Sequence, residues 1–415
     1  MKAVPADFQS PRPSLNVFKF ADLEKATRLF SLERPSPSLN VFKFADLEKA
    51  TRMFSLDLLL GEGGFGKVFL GWAEQNTLAP SKQGVGIAVV VKRFYQEGLQ
   101  GLRQWLTEVN FLGHMDHPNI IRLLGYCNEE HEHLLVYEYM PNKSFEHCLF
   151  TGLSWETRLL IMIGVVRGLT YLHSMKLMCR GLKTGDILLD EDFNAKLRDF
   201  GLVKYGPEPG ETHVTTMVMR TYGYAAPEYV TTGMFCFFGR KTGWAAVYTA
   251  AVFKKNRLLA ATVVFTGDNR SIASEQYRRC FTGDMSPLKV NSGDKRGQYR
   301  RRLSPLKVPY SCSHLTMKCD IYSLGVVLVE SITGRRAMDR NMPTGQENLV
   351  EWASRIKSTR KLDKIMDPRL EHNYPIKGAS ECFALALRCV SNKPKDRPSS
   401  EEVLQSLERI YALHK

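Results

Sequence analysis

The 415-residue chain predicts an α+β protein of two lobes, a small β-rich one followed by a larger helical one. Three observations carry that expectation. Residues 57–140 hold strand-like runs at Lys67–Leu70, Ile87–Lys92 and Leu134–Tyr139, with one amphipathic helix near 102–113. Residues 154–233 and 314–415 place their apolar side chains at helical spacing, Trp155–His173 most clearly. Residues 234–313 follow neither period, which divides the chain into an arm (1–37), a first lobe with its lead-in (38–140), a second lobe in two parts (141–233 and 314–415) and an insertion (234–313).

The arm contains half of a tandem duplication. Ser14–Leu32 reads SLNVFKFADLEKATRLFSL and Ser38–Leu56 reads SLNVFKFADLEKATRMFSL, so that only Leu29 and Met53 differ. Two copies are too few for a solenoid, which needs three or more repeats to bury a core. Each copy reads as a short strand, Val-Phe-Lys-Phe, followed by a helix opened by its aspartate. Only the second copy runs directly into the first lobe, so the first is expected to be a redundant, loosely held arm.

The insertion is rich in Arg, Lys and Gly and repeats a short string, Ser286–Val290 and Ser304–Val308. A stretch this long without a period is expected to be disordered. Excising it joins Gly233 to His314 in a sequence that reads smoothly. It holds 15 Lys and Arg against 4 Asp and Glu, so it supplies +11 of the net charge of +14 and leaves +3 for the rest. Basicity confined to one segment does not mark the whole protein as a nucleic-acid binder. The last helix is announced by a capping box, Ser399 with Glu402, ahead of Val403, Leu404, Leu407 and Ile410.

No apolar run reaches the roughly 18 residues of a membrane span. The start, Met1-Lys2-Ala3-Val4-Pro5, lacks a signal-peptide core and a myristoylatable glycine. Nine scattered cysteines do not form a disulfide framework. A reducing, cytoplasmic setting is expected, with contact to the plasma membrane peripheral at most.

Gly61, Glu62, Gly63, Gly64, Phe65, Gly66, Lys67 and Val68 form a G-x-G-x-x-G-x-V string. Glycines let backbone N–H groups approach phosphate oxygens without a side-chain clash. The string lies between strand-like segments, whereas a dinucleotide fingerprint would open a helix. Lys92 closes the run Val89-Val90-Val91 and needs a partner for its ammonium. Glu108 is the candidate, at the inward edge of the stripe formed by Leu102, Trp105, Leu106, Val109 and Leu112. Further on, Asp199-Phe200-Gly201 follows Ala195-Lys196-Leu197, and a carboxylate at a strand end suits Mg²⁺ held on phosphate oxygens. Upstream stands Cys179-Arg180-Gly181-Leu182-Lys183-Thr184-Gly185-Asp186; downstream stand Thr221-Tyr222-Gly223-Tyr224 and Ala226-Pro227-Glu228.

This ordered set resembles the protein-kinase signature. The strings FKFADLEKATRMFS, LGEGGFGKVFLGW, HPNIIRLLGYC, LLVYEYMPNKSFEHCLF, RTYGYAAPEY and HLTMKCDIYSLGVVLVESITGRRAMD resemble more narrowly the plant receptor-like cytoplasmic kinases, over 38–233 and 314–410. The resemblance implies a bilobal protein-kinase fold and transfer of the ATP γ-phosphate to protein Ser or Thr. In it Gly61, Gly63, Gly66 and Val68 cover ATP, and Lys92 pairs with Glu108. Tyr137 is the gatekeeper, and Glu138 and Met140 bind adenine at the hinge. Asp199 takes Mg²⁺ and Lys183 approaches the γ-phosphate. Glu228 pairs with Arg397, Asp320 braces the catalytic loop, and Thr215, Thr216 and Thr221 are candidate phosphosites. A protein substrate or receptor-kinase partner is implied, and a monomer is expected.

The departures from the family pattern are local. Where the family has His-Arg-Asp, this chain has Cys179-Arg180-Gly181, so the aspartate that accepts the substrate proton is absent. Where it has the asparagine for the second metal, this chain has Asp186, which can still hold Mg²⁺. The expected function is therefore a Ser/Thr kinase impaired at Gly181. The alternatives are a pseudokinase scaffold that binds nucleotide without transfer, or a decayed product without function.

Overall fold

A computed structural model describes residues 39–96, 99–129, 132–208, 210–216, 221–231, 245–254, 257–266, 313–356, 362 and 364–413. The first copy of the duplication and both Ser-Pro-Leu-Lys-Val strings lie outside them.

The first lobe is a six-stranded sheet with strand order β1-β5-β6-β4-β3-β2. Its strands are β1 (Asn40–Val41), β2 (Leu59–Gly63), β3 (Gly66–Ala73), β4 (Ile87–Phe94), β5 (Leu123–Glu129) and β6 (Glu132–Glu138). Only the β1–β5 pairing is parallel; the others are antiparallel. Alternation decides the faces: along β4, Val89 and Val91 are buried while the residues between them are only partly so. Helix α1 (Phe44–Ala50) and helix α2 (Leu99–Leu112) flank the sheet. Trp105, Val109 and Leu112 of α2 are buried in the core shared with the second lobe.

The lead-in differs from its sequence reading. The strand is only two residues long, although the backbone of Phe42 still donates to the Tyr126 carbonyl at 2.8 Å. The helix begins at Phe44, two residues before the aspartate expected to open it. Asp46 lies inside the first turn, and no side chain caps this end. The aspartate still acts favourably there, because a carboxylate in the first turn faces the positive end of the helix dipole.

The second lobe contains α3 (Phe145–Thr151), α4 (Trp155–Ser174), the short strands β7 (Leu177–Met178), β8 (Ile187–Leu189), β9 (Ala195–Leu197) and β10 (Lys204–Tyr205), β11 (Val214–Thr216) and α5 (Pro227–Thr231). After the insertion come β14 (Ser313–Leu315), α6 (Met317–Thr333), α7 (Leu349–Arg355), α8 (Ile376–Cys389) and α9 (Ser400–Ala412). Helix α6 is buried almost all round and forms the axis of the lobe. Arg158 of α4 meets Asp367 at 2.7 Å with both side chains 1% exposed, tying the far end of α6 to α4 through the Ser331 carbonyl. The capping box at α9 forms as the sequence predicts: the Glu402 N–H donates to the Ser399 hydroxyl at 3.2 Å, and the Ser399 N–H to the Glu402 carboxylate at 2.7 Å.

Within 234–313, expected to be structureless, two strands pair antiparallel: β12 (Ala245–Lys254) and β13 (Arg257–Thr266). Both are rich in Val, Ala, Thr and aromatic residues, and their paired backbones satisfy each other's N–H and C=O groups. The insertion ends at Ser313, where β14 pairs with β11. Among the described residues no cysteine is joined in a disulfide; Cys127, Cys148, Cys382 and Cys389 are buried thiols. No helix among them is long and apolar enough to cross a membrane.

Candidate active site between the lobes

The glycine string forms a hairpin. Gly61 pairs with Val68, Glu62 with Lys67 and Gly63 with Gly66, and the turn is Gly64-Phe65. The glycines do two different jobs. A Cβ on Gly61, Gly63 or Gly64 would meet nothing within 4 Å, so these three leave open space at the rim. A Cβ on Gly66 would lie 2.2 Å from the Arg93 carbonyl, so Gly66 lets β3 approach β4. The Tyr95 N–H donates to the Phe65 carbonyl at 2.9 Å, and the Tyr95 hydroxyl donates to the Glu62 carboxylate, which ties the tip of the hairpin to β4.

Val68 lies opposite Lys92 across the β3–β4 ladder. The Lys92 ammonium donates to Glu108 Oε1 at 2.6 Å, with side chains 19% and 2% exposed. The sequence-predicted pair is therefore formed. Burial alone would lower the Lys92 pKa, but the charges of Glu108 and Asp199 more than offset it and hold it above its ordinary value. The Tyr137 hydroxyl donates to the other oxygen, Glu108 Oε2. Burial and the Glu108 charge push the Tyr137 phenol well above its usual range, so it remains a donor. Sequence reasoning placed Tyr137 at the gatekeeper position but missed this bond.

At the hinge, the Glu138 side chain accepts from the Arg122 N–H at 2.7 Å and from Lys196 at 2.8 Å. Lys196 comes from β9 of the second lobe, and no sequence signal marked it. Met140 is buried just beyond.

The loop that opens at Cys179 is built around Asp320. Its carboxylate accepts from the backbone N–H groups of Cys179 and Arg180 at 2.8 and 2.9 Å, and lies 3.3 Å from His173 Nε2. Arg180 adopts a left-handed conformation, φ 63°, and its guanidinium donates to the Leu202 carbonyl and to the Tyr229 hydroxyl. Leu182 is buried. The loop is thus anchored on both sides of Gly181. A Cβ at Gly181 would meet nothing nearer than the Cys179 carbonyl at 4.0 Å. What Gly181 removes is a carboxylate, not an anchoring contact.

Beyond Gly181, the Lys183 ammonium lies 3.7 Å from the buried Asp186 carboxylate and Arg198 lies 4.0 Å from it. Burial and the nearby charge of Asp199 push Asp186 up to about 7, a shift that Lys183 and Arg198 only partly offset. Asp199 itself has φ 68°, in the left-handed region. Glu228 and Arg397 form a two-pronged ion pair with both bonds at 2.7 Å. Thr215 and Thr216 sit on β11, paired with His314 and Ser313, while Thr221 is exposed further along.

These residues fit a nucleotide with a divalent cation. Open glycine positions face one side, a charged lysine is held by Glu108, and the Asp186 and Asp199 carboxylates lie near enough for the charge of one to raise the pKa of the other. Among the described residues no three His, Cys, Asp or Glu groups converge on one point. Two carboxylates are nevertheless the usual protein share for Mg²⁺, which takes its other ligands from phosphates and water.

A six-stranded sheet before a helical lobe, a glycine hairpin, the Lys92–Glu108 pair and the interacting Asp186 and Asp199 together define the protein-kinase class. The chain belongs to that family: residues 54–275 match the protein kinase domain. It is 41% identical over 359 residues to the serine/threonine-protein kinase PBL34 of Arabidopsis thaliana, covering 85% of this chain and 57% of the relative. It is 40% identical over 363 residues to receptor-like cytoplasmic kinase 176 of Oryza sativa subsp. japonica, covering 85% and 72%. It is 40% identical over 403 residues to the serine/threonine-protein kinase PBL35 of Arabidopsis thaliana, covering 95% and 61%. The chain spans 57–72% of the length of these relatives. The narrower resemblance read from the sequence thus agrees with what the relatives are named.

Proposed function

We propose that the chain binds Mg-ATP between its lobes and acts in the cytoplasm as a serine/threonine protein kinase whose phosphoryl transfer is impaired at the proton-accepting step. The observation that carries this reading is the assembled Lys92–Glu108 pair at 2.6 Å in a site that has Gly181 where the catalytic aspartate belongs. Gly61, Gly63, Gly66 and Val68 would cover the phosphates, with Glu62, Gly64 and Phe65 completing the hairpin. Tyr137, Glu138 and Met140 would line the adenine side. Lys92 would hold the α- and β-phosphates, Lys183 the γ-phosphate, and Asp186 and Asp199 the metal. Bound Mg²⁺ supplies neutralisation of phosphate charge.

With no carboxylate at 181, the residue that the resemblance assigns to taking the substrate hydroxyl proton is missing. Loss of a general base costs roughly 10²–10⁴ in rate. Positioning and electrostatics carry most of phosphoryl transfer, so a slow reaction is expected to survive. Partners would be a protein substrate or a receptor kinase. Any membrane contact would be peripheral, nucleic acid is not expected, and the working unit would be the monomer. Thr215, Thr216 and Thr221 are proposed as phosphosites.

The test compares phosphate transfer from labelled ATP by this chain and by Gly181→Asp. The open space at Gly181 lets the variant keep the fold. The variant is expected to be faster by about 10²–10⁴; equal rates would overturn the reading. Gly181 also favours a second reading, a pseudokinase scaffold. Under it Mg-ATP raises the melting temperature but the unmodified chain transfers no phosphate. A chain that Mg-ATP does not stabilise would fit neither reading and would point to a product without function.

A further inference from the structure

The duplication takes no part in catalysis, yet the structure shows what its second copy does. Asn40 and Val41 pair with Gly125 and Tyr126 of β5, and the Asn40 side chain donates to the Leu124 carbonyl at 3.0 Å. The approach is so close that a Cβ on Gly125 would lie 2.2 Å from the Asn40 carbonyl. Behind the strand, Leu47 is 2%, Ala50 5% and Thr51 0% exposed against the sheet. Residues 39–56 thus fill a specific seat on the first lobe.

Every one of these residues has an identical counterpart 24 positions earlier in the chain. The sole difference between the copies falls at Met53, which is 69% exposed and outside the seat. By contact chemistry the two copies are equivalent ligands for one site, and both are tethered to it.

We propose that the β5 seat accepts either copy, so that the chain has a second native state in which residues 14–32 occupy it and residues 33–56 are extruded as a loop. The occupant is set by the arm itself, because Leu32 would stand where Leu56 now stands and the 24 residues that follow would return to Asp57. Loop closure of that length disfavours the exchanged state by about 100-fold. The second copy therefore holds the seat in the unmodified chain, and the first is a built-in replacement. This inference does not depend on the catalytic reading.

The experiment is a double-mutant cycle in the full chain, read by urea denaturation: Leu47→Asp, Leu23→Asp and both together. Leu23→Asp alone is expected to change nothing. Leu47→Asp is expected to lower the folding equilibrium constant by no more than about 100-fold, the cost of the extruded loop. The double variant, with no intact copy, is expected to fall well beyond that. If Leu47→Asp falls as far as the double variant, the proposal is wrong. The milder pair Leu47→Ala and Leu23→Ala runs the same cycle if the aspartate variants do not fold. Rescue that grows with protein concentration would mean that a second molecule supplies the copy, and would also overturn the proposal.

Discussion

Glu108 is shared. One of its oxygens holds the Lys92 ammonium and the other accepts from Tyr137, so the Lys92–Glu108 ion pair is also a buried hydrogen-bond node. The two donors are not equivalent. In the proposed site Lys92 would carry the charge that meets a triphosphate, whereas Tyr137 only fixes the carboxylate. Lys92→Met is expected to abolish the rise in melting temperature that Mg-ATP gives the unmodified chain. Tyr137→Phe keeps the ring and is expected to preserve that rise while costing about 1 kcal/mol of stability. Thermal shift with and without Mg-ATP checks both, and an undiminished shift in Lys92→Met would remove Lys92 from the nucleotide site. The Lys92–Glu108 pair was legible in sequence, because a lysine ending an apolar strand and a glutamate at the edge of a helical stripe each need a partner. The Tyr137 bond was not, since it depends on the β4–β6 register that brings Tyr137 opposite Val90. Nor was the Lys196–Glu138 contact, which joins residues 58 positions apart and carries no local signal.

Helix α6 links the segments around Thr184 and Tyr224 through a buried carboxylate. Glu330 accepts from the Tyr224 hydroxyl at 2.6 Å and from the Ala337 N–H at 2.6 Å, and Tyr224 meets the Thr184 hydroxyl at 3.2 Å. Burial without a cation pushes Glu330 up to about 7. In an unfolded chain a glutamate titrates near 4.3. The folded state therefore binds this proton more tightly. The stability it contributes is complete below about 4.3 and is lost as pH rises towards about 7. Glu330→Gln has no proton to lose. Its side-chain oxygen can still accept from Ala337, and the Tyr224 hydroxyl can turn to accept from its amide. The variant is expected to show a smaller fall in stability between pH 4.5 and 7.5, measured by urea denaturation at several pH values. An identical pH slope in both proteins would show that Glu330 is ionised throughout. At this scale the sequence was most informative where an element carries its own terminus, as at the Ser399–Glu402 capping box. It was least informative at α1, where packing of Leu47 and Ala50 on the sheet, not the aspartate, decides where the helix starts.

The insertion raises the question of whether the molecule needs it. Its two ends return to one place: α5 before it packs against β14 after it, and β14 completes the pairing of β11. The kinase elements on either side are therefore joined by contacts that do not pass through residues 234–312. A chain lacking 234–313, with Gly233 joined to His314, keeps Leu315 opposite Val214 and His314 opposite Thr215, and gives up the Ser313–Thr216 pair and the contact of β12 with α5. Closing a loop of about 80 residues costs on the order of 4 kcal/mol in chain entropy. Structure within the insertion, such as the β12–β13 hairpin, can offset part of that cost, and β12 also packs beside α5. The shortened chain is thus expected to be at least as stable as the full one, to keep its Mg-ATP thermal shift, and to lose the strong retention on a cation exchanger that +11 of the +14 charge confers. A lower melting temperature, or a lost nucleotide shift, would show instead that the insertion packs on the kinase lobes and supports the cleft.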